Sequence, residues 1–195
     1  MYLNLEAREL NLKVVYYGPA MSGKTTNIEQ IHARVDPLRR SELVSLKTSD
    51  DRTLFFDFFQ LDLGKINGLT PKIHLYTVPG QSYYEASRKV VLRGADGVVF
   101  VADSAPDCLP DNRSLWENMH EHFSQLNLSS NLPVVVQFNK QDLPDALSPD
   151  VLKAALNVEG YPCVPAAAVN GQGVLDTFRT ILQTVMIQVQ RQAVA

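Results

Sequence analysis

The sequence predicts an α/β fold: a mostly parallel central sheet with one antiparallel edge hairpin and helices on both faces. Three observations carry this. Apolar runs and stretches of helical period alternate along the whole chain. Gly97 to Asp103 and Pro133 to Asn139 are apolar runs without polar alternation, as strands covered on both faces are. Asn67-Gly68, between two strand-like segments, is a hairpin signal because both central positions of that turn need positive φ.

Taken in order, the first strand runs from Leu10 to Tyr17 and ends at Gly18. A helix follows from Gly23 to about Val35, with Ile28, Ile31 and Val35 on one face, and Asp36-Pro37 stops it. Residues 36 to 53 are polar and aperiodic, which predicts a long functional loop. Phe55 to Lys65 and Leu69 to Val78 form the hairpin, and Pro79-Gly80 ends it. Gln81 to about Arg93 is a loop entering a helix, and Gly97 to Asp103 a buried strand. Leu109 to Leu126 is a helix with Leu115, Met119, Phe123 and Leu126 inward. Pro133 to Asn139 is a strand, Ser148 to Leu156 a short helix and Cys163 to Ala167 a short strand. Val174 to about Arg191 is a closing helix whose Val174, Phe178, Ile181, Leu182, Val185 and Val189 keep the 3.6 period.

The 195 residues suit one domain, 1–195, with 45% hydrophobic and 20% charged residues, which excludes a disordered chain. A net charge of -3 gives no global field for nucleic acid or anionic lipid. No apolar stretch reaches membrane-helix length, and Met1 to Glu6 lacks the build of a signal peptide. Cys108 and Cys163 read as free thiols of a reducing cytosol. His120 and His122, two apart on a helix, face apart and make no metal pair.

Gly18-Pro19-Ala20-Met21-Ser22-Gly23-Lys24-Thr25 matches G-x-x-x-x-G-K-[ST], with an apolar strand before it and an amphipathic helix after. Glycines let successive N–H groups converge on one anion, and the helix N-terminus adds positive potential. Gly18, Met21, Ser22, Gly23, Lys24, Thr25 and Thr26 are therefore candidate phosphate contacts. Lys24 supplies charge for the β- and γ-phosphates, and the Thr25 hydroxyl is a Mg²⁺ ligand.

Asn139-Lys140-Gln141-Asp142 leaves the carboxyl end of a buried strand, where open α/β sheets present ligand-binding loops. The Asp142 carboxylate is acceptor-only and suits guanine N1–H and its 2-amino group. Adenine would leave it unpaired, and such a site can discriminate by about 10⁴-fold. The pair of motifs predicts GTP and GDP as ligands.

With Pro79-Gly80-Gln81, these motifs resemble a small Ras-like GTPase with a P-loop. The stretches Arg52-Thr53-Leu54-Phe55-Phe56-Asp57-Phe58, Leu75-Tyr76-Thr77-Val78-Pro79-Gly80-Gln81 and Val101-Ala102-Asp103-Ser104-Ala105-Pro106 resemble the MglA family of prokaryotic Ras-like proteins of cell polarity and gliding motility. The likeness covers roughly the whole chain. It implies a further base contact from Ala167-Ala168-Val169, where most relatives carry Ser-Ala-Lys, with the Ala168 N–H meeting guanine O6. It also implies that Thr53 senses the γ-phosphate and Mg²⁺, with Thr48 the fallback. Gly80 would offer its N–H to the γ-phosphate, Gln81 would orient the attacking water, and Arg52 would act as an arginine finger in cis. A solvated loop arginine is the plain alternative for Arg52.

Most Ras-like proteins have Asp-x-x-Gly-Gln at the end of the third strand, and here Thr77 stands in place of that metal-holding aspartate. Either Asp50, Asp51 or Asp57 compensates, or Mg²⁺ is held more weakly. Asp57 stands out because it shares a strand face with Phe55, Phe59 and Leu61, where a carboxylate needs a partner. The alternative is an edge-strand carboxylate bonded to backbone.

The leading expectation is a GTP-hydrolysing switch whose loops answer to the γ-phosphate. The competing class is a nucleotide-binding interaction module with little hydrolysis. A small-molecule kinase is disfavoured by the lack of a lid-like insertion. Resemblance implies an MglB-like Roadblock/LC7 activating partner and downstream effector proteins. Ser82-Tyr83-Tyr84-Glu85 offers aromatic anchors for them, or else packs its helix on the sheet. Neither end carries a lipidation signal, so a cytoplasmic protein drawn to cell poles by partners is expected, without a direct membrane anchor.

Overall fold

The computed structural model describes residues 2–4, 6–46, 56–66, 68–81, 84–128 and 131–194. Its strands are β1 (Tyr2–Asn4), β2 (Glu9–Tyr17), β3 (Val44–Leu46), β4 (Phe56–Asp62), β5 (Thr70–Thr77), β6 (Gly97–Asp103), β7 (Val134–Asn139) and β8 (Cys163–Pro165). The helices are α1 (Lys24–Arg34), α2 (Glu85–Leu92), α3 (Leu109–Gln125), α4 (Pro149–Leu156) and α5 (Val174–Val194). The sheet order is β3-β4-β5-β2-β6-β7-β8, and β1 pairs antiparallel with the start of β2. β5, β2, β6, β7 and β8 are parallel, while β4 runs antiparallel to β5 and β3 to β4.

The buried strands form for the reason their composition gives. Every residue of β6 and of β7 is buried, and side chains on both faces are covered by helices. One face packs Leu12, Val14, Phe59 and Leu75 under α1 and α5 through Ile28, Ile31, Phe178 and Ile181. The other packs Val15, Val98, Phe100 and Val136 under α2, α3 and α4 through Leu92, Trp116, Met119 and Leu152. On α5, Val174, Phe178, Ile181 and Val185 are buried, and Leu182 and Val189 pack beside them. Ser148 caps α4 by accepting from the Val151 N–H.

The loop expected over 36 to 53 is partly structured. Pro37–Arg39 is a 3-10 turn capped by Asp36, and β3 adds itself to β4. The hairpin is consequently one strand in from the sheet edge, and β3 is the edge. β3 escapes sequence reading because three residues are too few to show a period. β1 also lay outside the predicted elements: Tyr2 and Leu3 are exposed and carry no burial pattern. Gly68 has φ +83°, and Ile66 bridges Leu69, as a tight hairpin end requires; Asn67 lies outside the described residues.

β6 meets α5 so closely that a Cβ on Gly97 would lie 2.6 Å from Val185 Cγ2 and 3.0 Å from Ile181 Cδ1. Gly97→Ala should therefore overpack this junction and cost about 1–3 kcal/mol, read as a lower urea midpoint with unchanged m-value.

Candidate nucleotide-binding site

The carboxyl ends of β2 and β7 bring the two motifs together. β2 runs into the phosphate loop at Gly18, whose φ is +141° and whose absent Cβ would sit 2.2 Å from the Val101 carbonyl oxygen of β6. Gly23, at φ +99°, caps α1, and a Cβ there would collide with Asn139 Nδ2 at 2.1 Å. Both positions need glycine for backbone conformation and for close approach. Asn139 holds the arrangement: its Nδ2 donates to the Ser22 carbonyl at 2.7 Å, and its Oδ1 accepts from the Ala168 N–H at 2.8 Å.

A cavity of about 210 Å³ opens between these segments. Met21, Gly23, Thr26, Asn139, Lys140, Asp142, Ala168 and Val169 line it, all of them among the predicted nucleotide contacts. Larger hollows lie elsewhere, one of about 340 Å³ by Tyr2, Lys13 and His74 and one of about 380 Å³ by His120, Phe123 and Tyr161. Neither includes a residue of the two motifs. Lys140, at φ +69°, pairs with the buried Asp103 carboxylate at 2.5 Å, which fixes the base of the Asn-Lys-Gln-Asp turn. Gln141 turns inward instead, donating from Nε2 to Ser104 Oγ at 2.7 Å and to the Leu147 carbonyl at 3.0 Å. Asp142 stands exposed at the cavity, its carboxylate free to accept.

Lys24 is buried, and its Nζ donates to the Gly18 carbonyl at 3.0 Å and the Pro19 carbonyl at 2.5 Å. Burial first, and the Arg88 charge second, push its pKa down to about 7, against a smaller upward pull from Asp57. Ser22 Oγ beside it is fully buried and has no hydrogen-bond partner among the described residues. An oxyanion at this loop would supply the counter-charge that the Lys24 amine lacks. Gly80 lies directly against the loop, since a Cβ on it would fall 2.0 Å from Ala20 N and 2.3 Å from Pro19 C.

Asp57 is buried on β4 and bonds to hydroxyls rather than backbone, and β4 is not an edge strand. Its carboxylate accepts from Thr25 Oγ1 at 2.5 Å, Ser45 Oγ at 2.6 Å and Thr77 Oγ1 at 3.0 Å. Thr77 Oγ1 in turn accepts from the Asp57 N–H at 2.8 Å. Asp57 and Thr77 thus form one unit against the Thr25 hydroxyl. A carboxylate and hydroxyls of this kind suit a hard cation, whose ligands are oxygens. Among the described residues no group of three or more His, Cys, Asp or Glu side chains is placed to hold a metal ion.

In the base loop the Ala168 N–H donates to Asn139 Oδ1, and Ala167 and Ala168 are buried while Val169 is exposed. Arg52, Thr53, Thr48, Asp50, Asp51, Ser82 and Tyr83 lie outside the described residues. Tyr84, half-buried, donates its N–H to the Gln81 carbonyl at 3.2 Å. Gln81 is exposed, and sequence reading missed what holds it. The buried Arg88 of α2 donates to the Gln81 carbonyl at 2.6 Å and to Asn118 Oδ1 at 3.2 Å. Tyr17, the last residue before the phosphate loop, donates to the same Asn118 oxygen at 2.8 Å. His122, whose pKa burial lowers, approaches the Tyr17 hydroxyl at 3.3 Å and Glu85 at 3.5 Å.

Comparison with known proteins agrees with this geometry. The ADP-ribosylation factor family profile matches residues 1–185. The mutual gliding-motility protein MglA of Myxococcus xanthus is 43% identical over 191 residues, 97% of this chain and 98% of that one. The Ras-related protein RGP2 of Oryza sativa is 29% identical over 135 residues, covering 67% and 59% of the two chains. The large ribosomal subunit assembly factor BipA of Bacillus subtilis is 27% identical over 167 residues, 79% of this chain but 26% of its own length. The phosphate loop and the Asn-Lys-Gln-Asp turn, facing each other across one cavity at the sheet's carboxyl edge, are what a protein of this kind needs, and the chain belongs to the ADP-ribosylation factor family of Ras-like small GTPases.

Proposed function

We propose that this GTPase is a switch of cell polarity and gliding motility, cycling between GDP and GTP. The observation that carries the reading is the cavity shared by the phosphate loop and Asn139, Lys140 and Asp142. Likeness to MglA over nearly the whole of both chains supports the motility role. An MglB-like Roadblock/LC7 protein accelerates hydrolysis, and effector proteins read the GTP-bound form. No helix among the described residues is long and apolar enough to cross a membrane, which suits recruitment to cell poles by these partners.

In this reading Gly18, Met21, Ser22, Gly23, Lys24, Thr25 and Thr26 hold the phosphates, and Asp142 reads guanine. Ala167, Ala168 and Val169 form the base loop, with the Ala168 N–H at guanine O6. Mg²⁺ stabilises charge on the phosphates when bound. Thr25 and Thr53 are its ligands, supported by Asp57 and Thr77. Gly80 senses the γ-phosphate, Gln81 orients water, and Arg52 neutralises charge on the transferred group.

Single-turnover GTP hydrolysis should fall about 10²-fold or more in Arg52→Ala and in Gln81→Leu, with GDP still retained. Wild-type rates in both, with and without activating partner, end the assignment. For Asp57, the measurement is GDP release with and without a chelator. Chelation should speed release from the wild type, whereas Asp57→Asn should release quickly already and respond little; an undiminished chelator effect removes Asp57 from the metal site.

Lys24 makes binding pH-dependent. With its pKa near 7, the folded nucleotide-free protein holds fewer protons than the unfolded chain from about pH 7 up to the ordinary lysine range. Stability of the nucleotide-free protein therefore rises with pH through that window. Phosphate anions favour the charged amine, so binding takes up about one proton near pH 8.5, and affinity falls as pH climbs above 7. Calorimetry of GDP binding in two buffers of different ionisation enthalpy reads this uptake. Lys24→Met should abolish it, and an unchanged uptake in that variant refutes the assignment.

A further inference from the structure

β7 grips the phosphate loop twice. Gln137 and Asn139 stand two apart on this strand and so share a face. Asn139 donates to the Ser22 carbonyl directly. Gln137 reaches the next carbonyl through Asn27 of α1. The two amides bond reciprocally: Asn27 Nδ2 to Gln137 Oε1 and Gln137 Nε2 to Asn27 Oδ1, both at 2.8 Å. Asn27 Nδ2 also donates to the Gly23 carbonyl at 3.0 Å. Gln137 Nε2 also donates to Thr177 Oγ1 of α5 at 2.9 Å, and that hydroxyl donates to the Gly173 carbonyl at 2.8 Å.

Asn27, Gln137 and Thr177 are each fully buried. Both amide groups spend both N–H donors, so the network is closed. Its ends are the last residue of the phosphate loop on one side and Gly173, in the loop that carries Ala168 and Val169, on the other. Two nucleotide-facing segments are thereby tied by directional bonds to the strand that carries the third. Apolar side chains of similar size would fill the same space but fix no register between α1 and β7.

We propose that the Asn27–Gln137 pair, with Thr177, positions the phosphate loop relative to the base-reading turn and so sets how tightly guanine nucleotide is held. These are positioning residues, acting through Gly23, Asn139 and the base loop without touching nucleotide. The inference rests on the guanine-nucleotide reading above. Because the phosphates and the base are gripped at separate sites, affinity depends on the spacing between them. Loss of about one hydrogen bond's worth of grip, roughly 1.4 kcal/mol, is tenfold in retention.

The test separates position from stability. Asn27→Leu and Gln137→Leu alone each strand a buried amide, so each should lower both the urea midpoint and GDP retention. The double variant Asn27→Leu/Gln137→Leu removes both partners and should regain the urea midpoint. Its release of fluorescent GDP should nevertheless stay about tenfold or more faster than wild type. A double variant that regains both stability and wild-type release overturns the proposal and leaves the pair as packing. If the double variant does not fold, Thr177→Val and Thr177→Ser decide. The valine should speed release severalfold and the serine restore it, and wild-type release from Thr177→Val overturns the proposal. A wild-type chain that retains no GDP overturns the guanine-nucleotide reading itself, a failure seen before any variant is compared.

Discussion

A lysine amine buried against two backbone carbonyls is the constraint on which the site depends. Lys24 gives up solvent at the start of α1, where its nearest partners, Gly18 and Pro19, offer dipoles rather than charge. Burial lowers its pKa because nothing there repays desolvation of the cation in full. The same helix start gathers main-chain N–H groups of the phosphate loop. Such a place favours an anion, which can engage the amine and the N–H groups together. The fold's effort goes into holding that place open: glycines at 18 and 23 let β6 and Asn139 approach, and Gly80 lies flush with Pro19 and Ala20.

The parallel core explains why the remaining parts converge. Parallel strands present their carboxyl ends on one edge, so loops far apart in sequence meet there. Asn139 converts that proximity into fixed geometry by bonding the phosphate loop with one atom and the base loop with another. The Arg88–Asn118–Tyr17 bonds do the same for the segment carrying Gln81, linking it through α3 to the strand that feeds the phosphate loop. A change in how Gln81 sits must therefore be accommodated by a buried guanidinium, a costly group to leave unpaired.

What the sequence made legible follows from physical signals of adequate length. β6 and β7 read as buried strands because their apolar runs have no polar alternation, and α5 read as a helix over several turns of one period. β1 and β3, three residues each, carried no such signal. The two motifs placed the cavity because their chemistry demands particular residue types at fixed spacing. Gln137 did leave a mark, a lone amide inside Val-Val-Val-Gln-Phe, since a polar group in a covered strand needs a partner; the partner, Asn27, cannot be named without the fold. Arg88 left none, because a buried arginine and a solvated one look alike in an amphipathic helix. The bond from the Ala168 N–H to Asn139 joins residues far apart in the chain, and no spacing in the sequence announces it.

The exchange of an aspartate for Thr77 is best understood in space. On adjacent antiparallel strands Asp57 and Thr77 are joined by two hydrogen bonds, and the carboxylate on β4 reaches the Thr25 hydroxyl at 2.5 Å. The negative charge missing from the end of β5 is thus present one strand away, aimed at the same hydroxyl. Thr77 is not a passive replacement, because its hydroxyl donates to the carboxylate and accepts from the Asp57 N–H, fixing the side chain's direction. This arrangement couples the site to β4 and, through Ser45, to edge strand β3. An aspartate on β5 would anchor to the sheet's interior. A carboxylate on β4 instead ties the Thr25 hydroxyl to the strands at the sheet's edge, because the same side chain accepts from Ser45 of β3 and from Thr77 of β5.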